Sequence, residues 1–171
     1  MRCTTLSIVC LTPLLLAFGA LIHDLPRNPA VNPDSSIEKA LEVPPRVQTF
    51  LRRSCYDCHS SETRWPWYAG VPPVSGLIES DVKHGRAAMN LSEWSTSSGA
   101  SALRAAATLA AACSAVRSGI MPKRPYTYLH PEAHPSRSEI EMFCEWTREQ
   151  DSQLRTRTRT RSNQAACGIH N

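Results

Sequence analysis

The chain opens on a long apolar run. Met1 and Arg2 are followed by twenty uncharged positions, 3–22, that are dominated by Leu, Ile, Val and Ala. A positive end followed by an apolar middle is typical of an export signal, and twenty residues are also long enough to span a bilayer as a helix. The sequence therefore predicts export, and it leaves open whether this N-terminal apolar helix is cleaved or retained as an anchor.

Beyond residue 35, apolar positions recur at the spacing of an α-helix in four segments, and no segment alternates in the manner of a strand. One helix begins at Pro45, one carries an apolar stripe over 74–82, and an alanine-rich one covers about 101–116. The last begins at Ser136, which can form a capping box with Glu139. We therefore predict an all-α fold with long irregular loops.

A length of 171 residues is enough for one compact domain together with targeting and terminal segments. The stretch 23–35 is rich in Pro, Asn and Asp, which favours an extended spacer. The end of the chain alternates Arg and Thr without apolar periodicity, which is typical of a disordered segment. The predicted parts are a signal peptide or membrane anchor at 1–22, a Pro-rich spacer at 23–35, a folded domain at 36–153 and a basic disordered tail at 154–171.

The formal charge of +4 comes from that tail, because four arginines at alternate positions of 155–161 account for all of it. Such basic segments neutralise phosphates, but the predicted export and the lack of aromatic residues among these arginines argue against nucleic acid as a partner. Contact of the tail with anionic lipid or with an acidic redox partner stays open.

Cys55, Cys58 and His59 form the C-x-x-C-H arrangement of covalent haem attachment. Side chains three positions apart share one face of a helix, so both thiols can add to the vinyl groups along one porphyrin edge while the adjacent imidazole binds the iron. The sequence therefore predicts one covalently bound haem c per chain, attached at Cys55 and Cys58, with His59 as an iron ligand.

The other five cysteines form no paired disulfide framework. Cys3 and Cys10 lie in the apolar run, and Cys167 lies in the tail. Cys113 and Cys144 fall in two predicted helices, where a disulfide bridge and two buried free thiols are both open.

A thioether for the second axial position is present at Met121, in a loop stiffened by Pro122. Methionine there would raise the reduction potential relative to a second histidine, and His130 is the rival ligand. His130 and His134 also have the spacing that completes a zinc site with two cysteines, although they lie far from the motif along the chain. A zinc-binding module built from Cys55, Cys58, His130 and His134 therefore stays an alternative.

The stretch 55–68, with the sequence CYDCHSSETRWPWY, resembles the signature of the bacterial haem-binding domain family of small c-type cytochrome-like proteins. Later segments agree with the family in the same order, so that the resemblance covers about residues 25–147. These segments are Pro73-Val74-Ser75, Gly85-Arg86, Asn90 to Trp94, Met121-Pro122, Tyr126 and Leu129 to Ala133.

The resemblance implies an exported, cytochrome c-like helical domain that carries one haem. By the same resemblance, Cys55 and Cys58 attach the haem, His59 is the proximal ligand and Met121 is the distal one. Two positions depart from the family pattern: Lys123 stands where a second proline is common, and His134 stands where arginine is expected.

Aromatic residues follow the motif at Trp65, Trp67 and Tyr68. We expect them to form a wall beside the porphyrin, where flat rings exclude water from the iron, although ordinary core packing would explain them as well. Arg64 and Arg86 are weaker candidates for the haem propionates, with solvated surface arginine as the alternative.

One-electron transfer is the leading functional hypothesis, because His59 and Met121 would fill both axial positions of the iron. The partner would be an unidentified redox protein, and the chain would be periplasmic or would face the periplasm from the inner membrane. The competing hypothesis is a haem-dependent peroxidase or a gas or redox sensor in which Met121 leaves the iron. An electron carrier is favoured over an enzyme.

Overall fold

The computed structural model describes residues 24–168, with side chains as far as residue 165. Within that range the chain forms seven α-helices and three short 3-10 turns and no strand, which confirms the all-α prediction. The predicted N-terminal apolar helix at 1–22 lies outside the described residues. The helices are α1 (Ile37–Ala40), α2 (Pro45–Ser54), α3 (Tyr56–His59), α4 (Val74–Ala88), α5 (Gly99–Arg117), α6 (Arg124–Leu129) and α7 (Arg137–Gly168), and the 3-10 turns are Pro33–Ser35, Trp67–Gly70 and Pro131–Ala133.

Serine side chains start the two longest helices. At the start of α7, Ser136 Oγ accepts a hydrogen bond from Glu139 N at 3.3 Å, and Glu139 Oε2 accepts one from Ser136 N at 2.8 Å. The predicted capping box is therefore confirmed. A second box joins Ser98 and Ser101 at the start of α5, which is why that helix begins two residues before the predicted position.

The core lies between α2, α5 and α7. Phe50 of α2 packs against Phe143 of α7 with ring centroids 5.0 Å apart, and Leu109 of α5 is buried in the same cluster. A disulfide joins Cys113 of α5 to Cys144 of α7, with Cα atoms 5.1 Å apart. The structure therefore settles the question of whether these two cysteines are bridged, and the bond fixes the two longest helices to each other.

By length and composition alone, α5 is also apolar enough to cross a membrane. In the structure its buried side chains, among them Ala102, Ala106 and Val116, belong to the core of the domain. The packing of α5 against α7 therefore identifies it as a helix of the folded domain.

The apolar stripe predicted over 74–82 describes α4 only in part. Val82 is buried, but Leu77 is 66% exposed. The residues that α4 buries are Ser75, Val82 and Gly85, because α4 packs closely against α3 and the Trp67–Gly70 turn, where small side chains are needed. Apolar periodicity does not reveal a contact of this kind.

The tail predicted to be disordered from residue 154 is helical in the structure as far as Gly168. Leu154 is buried in the core, and Arg161 Nη1 donates a hydrogen bond to Ser97 O at 3.0 Å. Arg155 forms an ion pair with Asp151 one turn earlier. These contacts with the domain and along the helix explain why α7 continues through the arginine and threonine repeat.

The predicted spacer is attached to the domain at Asn28. Asn28 Nδ2 donates to Thr63 O at 2.7 Å, and Asn28 Oδ1 accepts from Trp65 Nε1 and from Arg86 Nη2, each at 3.0 Å. The described part of this segment, from residue 24, contains no helix or strand before the Pro33–Ser35 turn. The hydrogen bonds of Asn28 therefore hold a segment that precedes residue 36 against the folded domain.

Candidate haem site

Helices α2, α3, α5 and α7, the end of α4 and the loop after α5 line an apolar cavity. Its volume is about 200 Å³ and it is partly open to solvent, so it is smaller than the roughly 300–1,000 Å³ of typical ligand pockets. Cys55, His59 and Met121 all contribute to its wall. Residues from two separate parts of the sequence, the motif and the Met121 loop, were predicted to bind one cofactor and are thus brought to one cavity.

The donor atoms suit a haem. A thioether and an imidazole are the pair that holds the iron of many cytochromes, and the rest of the wall consists largely of alanine and other apolar side chains. An apolar macrocycle gains from such a lining because the contact removes its faces from water. The residues present therefore fit the group that the sequence motif implies.

The two motif cysteines lie on one helical turn. Cys58 N and His59 N both donate to Cys55 O, at 3.2 and 2.9 Å. Burial and the neighbouring Cys58 raise the pKa of the Cys55 thiol to about 12, and burial followed by the charges of Asp81 and Asp57 raises the pKa of Cys58 to about 11. Both thiols therefore remain neutral at neutral pH. Cys58 does not line the cavity, and it lies against α4 instead.

The imidazole of His59 is held in the form that binds a metal. Burial lowers the pKa of His59, so the ring is neutral at neutral pH. Its Nδ1 lies 3.2 Å from Met89 O, and a proton on Nδ1 is donated to that carbonyl. This hydrogen bond orients the ring and leaves Nε2 as the ligating nitrogen.

Helix α4 packs closely against the backbone of the motif at Cys58. A Cβ atom at Gly85 would lie 2.4 Å from Cys58 O, which is closer than any real contact. Leu91 N donates to His59 O at 2.7 Å and continues this contact past the end of α4. Gly85 is therefore required by the distance between the two helices, and not by its backbone conformation.

Replacing Gly85 with alanine is expected to lower the free energy of unfolding by about 1–3 kcal/mol, because the added methyl group forces α4 away from the motif. Gly76 on the same helix is the matched control, since a Cβ there meets nothing within 4 Å. Gly76→Ala should stabilise the protein by up to about 1 kcal/mol through helix propensity. Urea unfolding of both variants measures the difference, and equal midpoints would contradict this account of Gly85.

One face of α5 forms a flat side of the cavity. Thr108, Ala111, Ala112 and Ala115 all line it, at the spacing of neighbouring helical turns. Their small side chains leave room for a flat ring system against the helix. The alanine content of this segment predicted a helix only, although the three- and four-residue spacing of its small side chains is the pattern that marks one face of α5.

Met121 is held in the loop that follows α5. Ile120 N and Met121 N both donate to Ala115 O, at 3.0 and 3.1 Å, and Gly119 has the left-handed φ of +70° that this turn requires. Lys123, the residue that departs from the family pattern, forms an ion pair with Asp81 of α4. The loop therefore crosses from α5 to α4 with Met121 on the cavity wall.

The rival ligand His130 lies away from the cavity. Its Nε2 is 2.7 Å from Tyr68 Oη and its Nδ1 is 3.3 Å from Glu132 Oε1, while its ring stacks on Tyr126 with centroids 4.5 Å apart. Both ring nitrogens therefore already have partners in the protein. Over residues 24–165, no group of three His, Cys, Asp or Glu side chains is placed to hold a metal ion, so the zinc alternative gains no support.

The structure does not place the predicted aromatic wall at the cavity. Trp65 donates its indole N–H to Asn28, Tyr68 is bonded to His130, and Trp67 is 79% exposed with its ring edge-on to Tyr68. The loop that carries them packs against the N-terminal segment and the residues after α6. Proximity to the motif in sequence was the basis of the prediction, and tertiary contacts override it.

The two candidate propionate ligands are engaged elsewhere in the protein. Arg64 pairs with Asp57 inside the motif. Arg86 donates to Ser60 O at 2.7 Å and to Thr63 Oγ1 at 2.9 Å. Both guanidinium groups therefore stabilise the loop that follows the motif.

Comparison with known proteins identifies the family of this domain. A family model described as a haem-binding domain matches residues 15–149, a range that contains every residue of the cavity wall. No curated protein and no solved structure matches the chain. On the strength of a match that spans most of its length, this chain belongs to the haem-binding domain family and is a haem-binding protein.

Proposed function

We propose that this protein is an exported electron carrier that holds its haem covalently through Cys55 and Cys58 and ligates the iron with His59 and Met121. The observation that carries the proposal is the apolar cavity with Cys55, His59 and Met121 on its wall. When bound, the haem supplies one-electron chemistry between the ferric and ferrous states.

His59, Met121 and the apolar wall of the cavity would tune this electron transfer. The hydrogen bond from His59 to Met89 O keeps the imidazole oriented, and the thioether of Met121 favours the reduced iron. The apolar wall would shield a bound haem from water on the sides that it covers. If His59 and Met121 both ligate the iron, no ligand position would be left for a substrate, which would favour a carrier over an enzyme.

Two features support export. The apolar run at 3–22 has the composition of a signal or anchor. The disulfide between Cys113 and Cys144 is of a kind that persists in oxidising compartments such as the periplasm. We therefore propose a periplasmic protein or a domain that faces the periplasm from the inner membrane, with another redox protein as its partner.

Met121→Leu tests the ligation, because leucine conserves the volume of methionine but removes the sulfur. We expect the ferric form to lose its methionine signature in the absorption spectrum and the reduction potential to fall by on the order of 100 mV. Met142→Leu is the matched control, since Met142 lies in α7 and does not line the cavity. Spectra and potentiometry of both holoproteins supply the measurements.

A Met121→Leu protein with an unchanged spectrum and potential would refute methionine ligation. A wild-type ferric protein that is five-coordinate and high-spin and that turns over peroxide rapidly would instead favour the peroxidase hypothesis.

A further inference from the structure

A buried carboxylate inside the motif connects it to the segment that follows Met121. Asp57 accepts hydrogen bonds from three nitrogens of Arg64, namely N at 3.1 Å and Nε and Nη2 at 3.2 Å each. Its Oδ2 also accepts one from Tyr126 Oη at 2.7 Å. Asp57 is 9% exposed, so its charge is stabilised mainly by these four donors.

Tyr126 is well placed to keep this bond. Burial and the hydrogen bond to Asp57 raise the pKa of Tyr126, so its hydroxyl stays protonated and donates. The phenol ring is fixed by stacking on His130. The bond therefore joins a rigid donor to a buried charged acceptor.

Backbone hydrogen bonds and a surface ion pair also attach the Met121 loop to the domain. Backbone hydrogen bonds to Ala115 O fix the side of the loop that leaves α5. On the far side, the ion pair of Lys123 with Asp81 is about half exposed, and such pairs contribute little in salt solution. On that side, the hydrogen bond from Tyr126 to Asp57 is the charge-assisted contact whose acceptor is buried from solvent.

We propose that Tyr126 is a positioning residue whose hydrogen bond to Asp57 holds the segment carrying Met121 against the motif carrying His59, and so keeps Met121 on the iron. Asp57 lies two residues before His59, and Tyr126 lies five residues after Met121. One hydrogen bond thus connects the two segments of the chain that carry the proposed ligands. This inference rests on the proposed ligation by His59 and Met121.

Tyr126→Phe removes the hydroxyl and keeps the ring. Tyr128→Phe on the same helix is the matched control, because Tyr128 is 82% exposed. The measurement is the titration of each ferric holoprotein with imidazole, which binds only when Met121 leaves the iron.

Loss of a charge-assisted hydrogen bond should increase the population with a detached Met121 by about 10- to 100-fold. The apparent dissociation constant of imidazole is then expected to fall by the same factor in Tyr126→Phe. It should be unchanged in Tyr128→Phe.

A purely structural role for Tyr126 would lower the urea midpoint without changing imidazole affinity, and that result would overturn the inference while leaving the ligation intact. A wild-type ferric protein without methionine ligation would overturn the ligation and the inference with it. If Tyr126→Phe does not fold, Asp57→Asn replaces it, because the amide keeps an acceptor oxygen but loses the charge. Wild-type imidazole affinity in Asp57→Asn would likewise overturn the inference.

Discussion

Replacing both Cys55 and Cys58 with alanine will give a protein from which acidified organic solvent extracts all of the haem. The wild-type protein, matured in cells that carry a cytochrome maturation system, will keep its haem in the same extraction. The physical reason is that, under the proposed attachment, two thioether bonds hold the wild-type cofactor, whereas the proposed ligation by His59 and Met121 alone would be reversible in acid. Pyridine haemochrome analysis of the protein and solvent phases measures the partition.

A second pair of cysteines provides the control. Cys113→Ser with Cys144→Ser removes the disulfide between α5 and α7 but leaves the motif intact. This variant is expected to lose stability by about 3 kcal/mol and still to retain its haem through extraction. Extractable haem in the wild-type protein would refute covalent attachment.

Ala111→Trp is expected to reduce the haem content of the purified protein by about tenfold or more. Ala111 lines the cavity from α5, so an indole at this position would occupy the space where the macrocycle binds. Overfilling a packed site costs about 1–3 kcal/mol, which is enough for a reduction of this size. The haem-to-protein ratio is measured by absorption against total protein.

Ala110→Trp separates blocking of the cavity from damage to the fold. Ala110 is also exposed and precedes Ala111 on the same helix, but it does not line the cavity. The two variants should have equal helix content when expressed without the maturation system, and only Ala111→Trp should have the reduced haem content after expression with it. Equal haem content in both would show that the haem does not lie against this face of α5.

Local sequence patterns predicted much of the fold and the centre of the site. The helix starts at Pro45 and Ser136 follow from short-range chemistry, namely a proline in the first turn and a reciprocal cap. Cys55, His59 and Met121 were selected by spacing and loop context, and the structure brings all three to one cavity. Each of these signals lies within a few residues of the feature that it predicts.

Features that depend on distant parts of the chain were not predictable in the same way. The aromatic side chains after the motif are oriented by Asn28 and His130, which lie 37 and 62 positions from their partners. The helical end of α7 depends on burial of Leu154 in the core and on contact with the start of α5. The composition of these segments does not predict such contacts.

Asn28 determines where the polypeptide leaves the domain. Its side chain is hydrogen-bonded to Thr63, Trp65 and Arg86, so only residues 23–27 separate this attachment from the N-terminal apolar run. Five residues span at most roughly 18 Å. Under the proposed anchoring in the inner membrane, the domain would be tethered too closely to the lipid surface to tumble freely. It would meet its redox partners by diffusion in two dimensions, and the rate of electron exchange would then depend on how many partner molecules share the same patch of membrane.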